Sequence, residues 1–131
     1  MARTHLIQGS LARAAYGILA LVAPKLLFAT VPGTKVDDDA RYFNRLFGGR
    51  DLLVALGTIA AVRTGSEATA LKANVFCEVT DSVSLVEEVR GRGKLDRMTV
   101  IGLLFNVGGY AIWFRAARAL RTESASSAQS S

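Results

Sequence analysis

The segment 98–114, MTVIGLLFNVGGYAIWF, contains no charged residue over 17 positions. A helix that crosses a bilayer needs about 20 mostly apolar residues, so this run and its flanks have the length and composition to do so. Tyr110 and Trp113 near its end are typical of the aromatic belt at a membrane interface. Basic residues then follow, at Arg115, Arg118 and Arg121. The sequence therefore predicts a transmembrane helix over about 98–116.

Three further segments have the length of a membrane-crossing helix: 11–31, 43–63 and 67–89. Pro24 is expected to kink or divide the first, because a proline inside a helix removes a backbone hydrogen bond. With short connections between them, the four segments predict an all-α fold, a four-helix up-and-down transmembrane bundle that forms one domain over 1–121. The small polar residues of 122–131 are expected to form a disordered tail.

The composition agrees with a small membrane domain. The 131 residues suffice for one domain, and a hydrophobic half with a mean hydropathy of +0.29 excludes a disordered chain. The net charge of +5 suits anionic lipid and nucleic acid equally. Two other interpretations stay open: segment 11–31 as a signal peptide, and the whole chain as a soluble helical domain with a pocket for a hydrophobic ligand.

Reactive residue types are scarce, which limits the chemistry available to the chain. His5 is the only histidine and Cys77 the only cysteine, so a multi-histidine zinc site, a Ser-His-Asp triad and an internal disulfide all lack their residues. The acidic run 37–39 raises the alternative of a calcium site, but the glycine that an EF-hand loop needs at its sixth position is missing. We therefore expect no enzymatic activity, no metal and no cofactor.

A basic loop precedes the last helix. The run RGRGKLDR at 90–97 alternates glycines with cations and suits phosphate headgroups. Nucleic acid is the rival partner, but no aromatic stacking residues are interleaved with the cations. We therefore expect the lipid bilayer, and no nucleic acid, as a partner. The residues expected to contact headgroups are Arg90, Arg92, Lys94, Arg115 and Arg118.

Ionisable residues inside the helices predict a buried polar cluster, made of Arg50, Asp51, Glu78 and Asp81. On the third segment, Asn74, Glu78 and Asp81 recur at steps of four and three, so they share one helix face. The valines lie on the opposite side. This pattern favours a helix in a bundle with its polar stripe turned inward over one lying at the interface with that stripe in water.

The members of this cluster are expected to pair across helices. Adjacent helical residues point about 100° apart, so Arg50 and Asp51 are expected to find separate partners. Arg50 would pair with the carboxylates of the third helix, and Asp51 with Lys25, Arg45 or a backbone amide. An unpaired charge at mid-bilayer costs at least about 2.5 to 3.5 kcal/mol, which makes pairing the expected state.

Small residues suggest where helices approach each other closely. Gly49 and Gly57 lie eight residues apart on the second segment, which leaves one helix face nearly flat at two levels. On the last segment an amide is flanked by two glycines, a pattern typical of close packing with an interhelical hydrogen bond. The predicted contact positions are Gly49, Gly57, Gly102, Asn106 and Gly109.

Three sequence segments together resemble a known family: GILALVAPKLLF in the first helix, RLFGGRDLLVALG in the second and CEVTD in the third. Followed by an apolar last helix, they resemble the small bacterial four-helix membrane proteins of the DoxX-like type, many of which have no known function. The resemblance covers 11–120, and Phe47–Asp51 together with Asp81 are its most specific part. It implies a four-helix integral membrane bundle and carries over no catalytic residue.

On these grounds we expect a small non-enzymatic protein of a bacterial inner or plasma membrane. It would act as an accessory or assembly partner of a membrane complex, or as a homo-oligomer, with the buried cluster fixing the helix register. A small-solute or proton-linked carrier that uses the same cluster is the alternative. The soluble ligand-binding domain comes third. A membrane enzyme acting on lipid through Glu78 and Asp81 is more distant, since no nucleophile accompanies them.

Overall fold

A computed structural model describes residues 1–29, 38–95 and 97–129. The described residues are helical almost throughout and contain no strand, so the all-α prediction is confirmed for them. The end of the predicted first span, 30–31, and the end of the predicted tail, 130–131, lie outside the described residues. So does residue 37 of the acidic run 37–39, whereas α3 begins at residue 38. Five helices follow one another: α1 (Ala2–Val22), α2 (Pro24–Ala29), α3 (Asp38–Arg63), α4 (Glu67–Arg92) and α5 (Arg97–Gln129).

Helix boundaries follow local sequence chemistry. Pro24 divides the first apolar segment as predicted, because Ala23 leaves the helical conformation (φ −139°, ψ 55°) and α2 begins at the proline. Two glycines with positive φ, Gly65 at 77° and Gly93 at 62°, provide the turns after α3 and α4. The Gly93 N–H donates to Val89 O and ends α4 in a left-handed cap.

Two helices extend further than the sequence predicts. Because α1 begins at Ala2 and not near residue 11, Arg13 lies near the middle of this helix. At the other end α5 continues to Gln129, so the prediction of a disordered tail is wrong for 122–129. The serines in this stretch donate to carbonyls one turn earlier, as Ser126 Oγ does to Thr122 O at 3.0 Å, and the helix thereby accommodates their hydroxyls.

Helices α1 and α4 share the same two long neighbours. Helix α1 contacts α3 and α5, and helix α4 contacts the same two. Contacts run in opposite order along α1 and α5, since Gly9 meets Trp113 whereas Met1 pairs with Glu123. The same holds for α4 and α5, where Glu78 meets Gly109 and, further along α4, Leu85 meets Gly102.

Helices α1 and α3 approach most closely at two glycines. A Cβ added to Gly17 would lie 2.6 Å from Gly48 O, and one added to Gly48 would lie 2.6 Å from the Ala20 Cβ. The predicted contact positions Gly49 and Gly57 are wrong, because a Cβ at either would meet nothing within 4 Å in the described chain. On α3 the residue that faces α1 is Gly48 and not the neighbouring Gly49. A shift of one residue turns a helical position by about 100°, so the prediction chose the wrong face of the helix.

The interior is small and polar, and the exterior is large and apolar. Buried positions are mainly alanine, glycine and polar residues, with Leu6, Val62 and Trp113 as the larger apolar exceptions. Many of the exposed residues on each long helix are bulky hydrocarbons. Among the most exposed are Leu11, Ile18, Leu53, Leu56, Phe76, Val83, Leu104, Phe105, Val107 and Phe114. This distribution is the reverse of that in an ordinary water-soluble domain.

By length and composition, one helix in the described part of the chain is able to cross a membrane: Thr99–Gln129, within α5. The spans predicted at 11–31, 43–63 and 67–89 are not matched by the same test. Helices α1, α3 and α4 each carry ionisable residues near their middle, which lowers their apolar content.

Candidate functional site

Five ionisable side chains meet near the middle of α1, α3 and α4 and are here called the charged cluster. Its members are Arg13 from α1, Arg50 and Asp51 from α3, and Glu78 and Asp81 from α4. The structure thus brings the four predicted residues into one network and adds a fifth, Arg13. Hydrogen bonds to charged groups are stronger than neutral ones, so this network binds the three helices together.

Arg50 joins α3 to α4 through two parallel hydrogen bonds. Its Nη1 donates to Asp81 Oδ1 at 2.5 Å and its Nη2 to Asp81 Oδ2 at 2.9 Å. The expectation that Arg50 and Asp51 cannot pair is wrong, because Arg50 Nη2 also donates to Asp51 Oδ1 at 2.9 Å. The guanidinium is long enough to reach its neighbour in the sequence although the two Cβ atoms point in different directions. It also lies over the Phe47 ring, 5.2 Å from the centroid.

Glu78 joins α4 to α1 and α5. One of its carboxylate oxygens accepts from Arg13 Nη2 and, at 3.0 Å, from the Trp113 indole N–H. Of the two α4 carboxylates predicted as partners of Arg50, Asp81 is therefore confirmed and Glu78 is wrong. Trp113 is 3% exposed, which also corrects its assignment to an interfacial aromatic belt. Its ring lies under Arg13 at 5.7 Å from the guanidinium carbon, within the range of a cation–π contact.

Asp51 lies between the two arginines. Arg50 donates to it, and Arg13 Nε lies 4.0 Å from the same Oδ1 atom. The proposed partners Lys25 and Arg45 are wrong, since the ion pairs of Asp51 are with Arg13 and Arg50. Two buried donors of the cluster, Arg13 Nη1 and Arg50 Nε, have no hydrogen-bond partner among the described residues.

Burial decreases across the cluster from α1 toward the seam between α3 and α4. The side chains of Glu78, Arg13 and Asp51 are 7%, 10% and 12% exposed, respectively. Those of Asp81 and Arg50 are 27% and 33% exposed. The Arg13–Glu78 pair is therefore an interior ion pair, whereas the Arg50–Asp81 pair forms an edge that reaches the surface.

The predicted polar face of α5 packs against α4. Asn106 is 9% exposed and accepts from Ser82 Oγ at 2.9 Å. A Cβ at Gly109 would lie 2.5 Å from the Glu78 carboxylate, so the missing side chain makes room for the charge. Gly102 faces Leu85, whose Cδ1 would lie 3.5 Å from an added Cβ. These three positions on α5 all lie at its contact with α4.

A second polar contact lies one to two turns from the cluster. Asn74, which is fully buried, donates to Thr58 Oγ1 at 2.6 Å and so links α3 to α4. The residue spacing predicts Asn74 on the polar face of α4, whereas Thr58 was not predicted as its partner. Its position seven residues after Asp51, on the same side of α3, is the signal that could have found it.

The residues predicted to contact headgroups lie away from the cluster and are exposed. Arg90 and Arg92 are in the last turn of α4, where they pair with Glu87 and Glu88 respectively, and Lys94 follows the helix. Arg115 and Arg118 lie on α5 beyond Trp113. The first set lies at the end of a helix, whereas Arg115 and Arg118 lie within α5, which continues to Gln129.

The cluster has few of the features that a catalytic or metal site needs. Among the described residues, no group of three His, Cys, Asp or Glu side chains could hold a metal ion. One surface groove of about 280 Å³ is lined by residues of α4 between Ser82 and Arg90. Another, of about 310 Å³, is lined by residues of α3 between Asp38 and Arg45. Neither groove is lined by a member of the charged cluster. The arrangement can hold helices together by charge.

Comparison of the chain with models of protein families, with curated protein sequences and with solved structures finds no match.

Proposed function

We propose that this chain is a small non-enzymatic integral membrane protein that acts as an accessory or assembly partner of a membrane complex. It is a four-helix up-and-down transmembrane bundle in which α1, α3, α4 and α5 each cross the bilayer. The charged cluster at mid-height fixes the register of these helices. The observation that carries the proposal is the inverted distribution of side chains, with bulky hydrocarbon outside and small or polar groups inside.

A lipid environment accounts for this distribution. A monomeric soluble protein rarely exposes a continuous apolar patch larger than a few hundred Å². Here the outward residues of α3, α4 and α5 at the height of the cluster are hydrocarbon, as at Leu53, which is 72% exposed, Phe76, also 72%, and Leu104, 66%. Small residues between the helices, such as Gly17 and Gly48, are typical of packing in membranes, where close backbone approach replaces the hydrophobic effect.

The same environment explains why the interior holds charges. In hydrocarbon, apolar helix faces do not discriminate between alternative registers, whereas a charged pair favours one arrangement. The charged cluster joins α1, α3 and α4 directly, and Trp113 adds α5 through Glu78. The segment Phe47–Asp51 and Asp81, which resemble the DoxX-like pattern most closely, contribute the α3 and α4 side of this network. Their place in the network supports a structural role for these residues.

The carrier alternative is less well supported by the geometry. A carrier needs a path along which a solute or proton reaches the ionisable groups. All three carboxylates of the cluster are already paired with guanidinium groups, and the two surface grooves lie elsewhere. This favours a fixed set of ion pairs.

Membrane fractionation tests the proposed environment. When the full chain is expressed with a small tag, we expect it to stay in the membrane pellet after an alkaline carbonate wash and to enter solution only with detergent. A known peripheral protein in the same preparation serves as the control and should be released by the wash. Recovery of the chain as a monodisperse species in detergent-free buffer would favour the soluble helical domain and contradict the proposal.

A further inference from the structure

The charged cluster carries more negative than positive groups. It contains two guanidinium groups and three carboxylates, connected by four ion pairs: Arg13 with Asp51 and Glu78, and Arg50 with Asp51 and Asp81. With every group ionised, the described cluster has a net charge of −1. An uncompensated charge at mid-bilayer is costly, so one additional positive charge beside the cluster would stabilise it.

That charge can approach only one edge of the cluster. Arg13, Asp51 and Glu78 are nearly enclosed by the described helices. Asp81 is the one carboxylate with substantial exposure, at 27% of its side chain, and its partner Arg50 is 33% exposed. A cationic group that compensates the cluster therefore meets Asp81 at the outer surface between α3 and α4.

The surface around Asp81 lies between the outer faces of α3 and α4. Here we call it the α3–α4 seam. At about 100° per residue, Gly57 shares the outer face of Arg50 on α3, and Ala73, Cys77 and Ser84 flank Asp81 on α4. A Cβ at Gly57 would meet nothing within 4 Å. The bulky residues of α4, including Phe76 and Val83, lie on a different face. The seam thus combines a charged edge with small side chains on α4, whereas on α3 the exposed Phe47 ring lies beside Arg50.

We propose that the α3–α4 seam docks a transmembrane helix of a partner protein, which places one lysine or arginine side chain against Asp81. This inference rests on the proposed membrane function and specifies the chemistry of the partner. A second copy of this chain is a poor occupant, because symmetric contact through the same seam would bring together two clusters that are each negative. A cationic partner helix relieves the charge and covers the exposed ion pair at the same time.

A defined pair of model peptides tests this inference with the full-length chain in phosphatidylcholine vesicles. One probe is a polyleucine transmembrane peptide with a single central lysine, and the matched probe has leucine at that position. Energy transfer between a label on the peptide and a label at the C-terminus of the chain measures binding. We expect the lysine peptide to bind at least about tenfold more tightly than the leucine peptide, equivalent to about 1.4 kcal/mol.

Two variants locate the binding at the seam. Asp81→Asn should remove the preference for the lysine peptide, whereas Asp81→Glu should keep it. Gly57→Leu should weaken binding of the lysine peptide without disturbing the fold, because the added side chain points into open space. Equal binding of the two peptides would overturn the inference. So would a lysine preference that persists in Asp81→Asn.

The same vesicles separate this inference from the proposed function. Sedimentation and circular dichroism report whether the chain is membrane-bound and helical. A chain that leaves the vesicles contradicts the membrane proposal itself. A chain that stays bound and helical but shows no lysine preference contradicts only the docking inference.

Discussion

Replacing Arg13 with methionine is expected to lower the free energy of unfolding by about 3 to 5 kcal/mol, the cost of leaving a buried partner charge uncompensated. Arg13 is 10% exposed and pairs with Glu78, which is 7% exposed. Without Arg13, the Glu78 carboxylate loses its cation and keeps the hydrogen bond from the Trp113 N–H. Asp51 loses one of its two nearby cations. Denaturation of the purified protein in mixed micelles, followed by Trp113 fluorescence, measures the change.

Arg3 provides a matched control on the same helix. Its Nε donates to Glu67 Oε1 at 2.5 Å, so it too joins α1 to α4, but its side chain is 65% exposed. Arg3→Met should therefore cost no more than about 1 kcal/mol. Similar losses in the two variants would show that the buried position of the Arg13 pair has no special role in stability.

A double replacement distinguishes a lost attraction from an isolated charge. In Arg13→Met with Glu78→Met, both partners are apolar, and removing a whole buried pair is often nearly neutral. We expect the double variant to recover more than half of the stability lost in Arg13→Met alone. If the double variant is less stable than both single variants, Arg13 and Glu78 do not act as a pair.

Adding one methyl group at Gly48 is expected to be the second most damaging change. In Gly48→Ala, the new Cβ would lie 2.6 Å from the Ala20 Cβ and 2.9 Å from Gly17 O, so α1 and α3 would have to move apart. Overpacking of this kind costs about 1 to 3 kcal/mol. The loss should appear both as a lower free energy of unfolding and as a larger distance between spin labels on the two helices.

For the neighbouring Gly49 we expect the opposite result. A Cβ at Gly49 would meet nothing within 4 Å, and alanine is favoured over glycine in a helix by up to about 1 kcal/mol. Gly49→Ala should therefore leave stability unchanged or raise it slightly. A loss of stability in Gly49→Ala equal to that in Gly48→Ala would contradict the observed packing of α1 against α3.

The charged cluster shows how far sequence spacing can identify a site. The steps from Asn74 to Glu78 and Asp81 place these residues on one face, and the structure buries Asn74 and Glu78 while Asp81 stays partly exposed. Spacing also indicates that the α4 carboxylates could reach Arg50. It does not indicate which carboxylate is used, because that depends on the axial offset between α3 and α4, which only their packing sets.

Arg13 was missed as a cluster member for a related reason. The apolar run begins at Leu11, so Arg13 looks like a charge at the edge of a helix. The helix instead starts at Ala2. The polar residues of this first stretch give it no apolar pattern in the sequence, although Leu6 is fully buried. This earlier start moves Arg13 to mid-helix, where burial requires it to pair.

The glycines illustrate a limit of pattern-based prediction. Gly48 and Gly49 are adjacent and chemically identical, yet only Gly48 meets another helix. Their difference comes from the rotation of α3 about its axis. That rotation is set by all the contacts of the helix together, including the inward positions of Asp51 and Ala55.

Depth measurements with spin labels test most directly whether lipid surrounds the bundle. Single nitroxides at Leu53, Phe76 and Leu104, on a Cys77→Ala background, probe the outer faces of α3, α4 and α5 at the height of the charged cluster. In liposomes we predict frequent collisions with dissolved oxygen and few with a water-soluble nickel chelate at all three sites. A nickel-chelate accessibility equal to that of a label at exposed Arg121 would contradict the account.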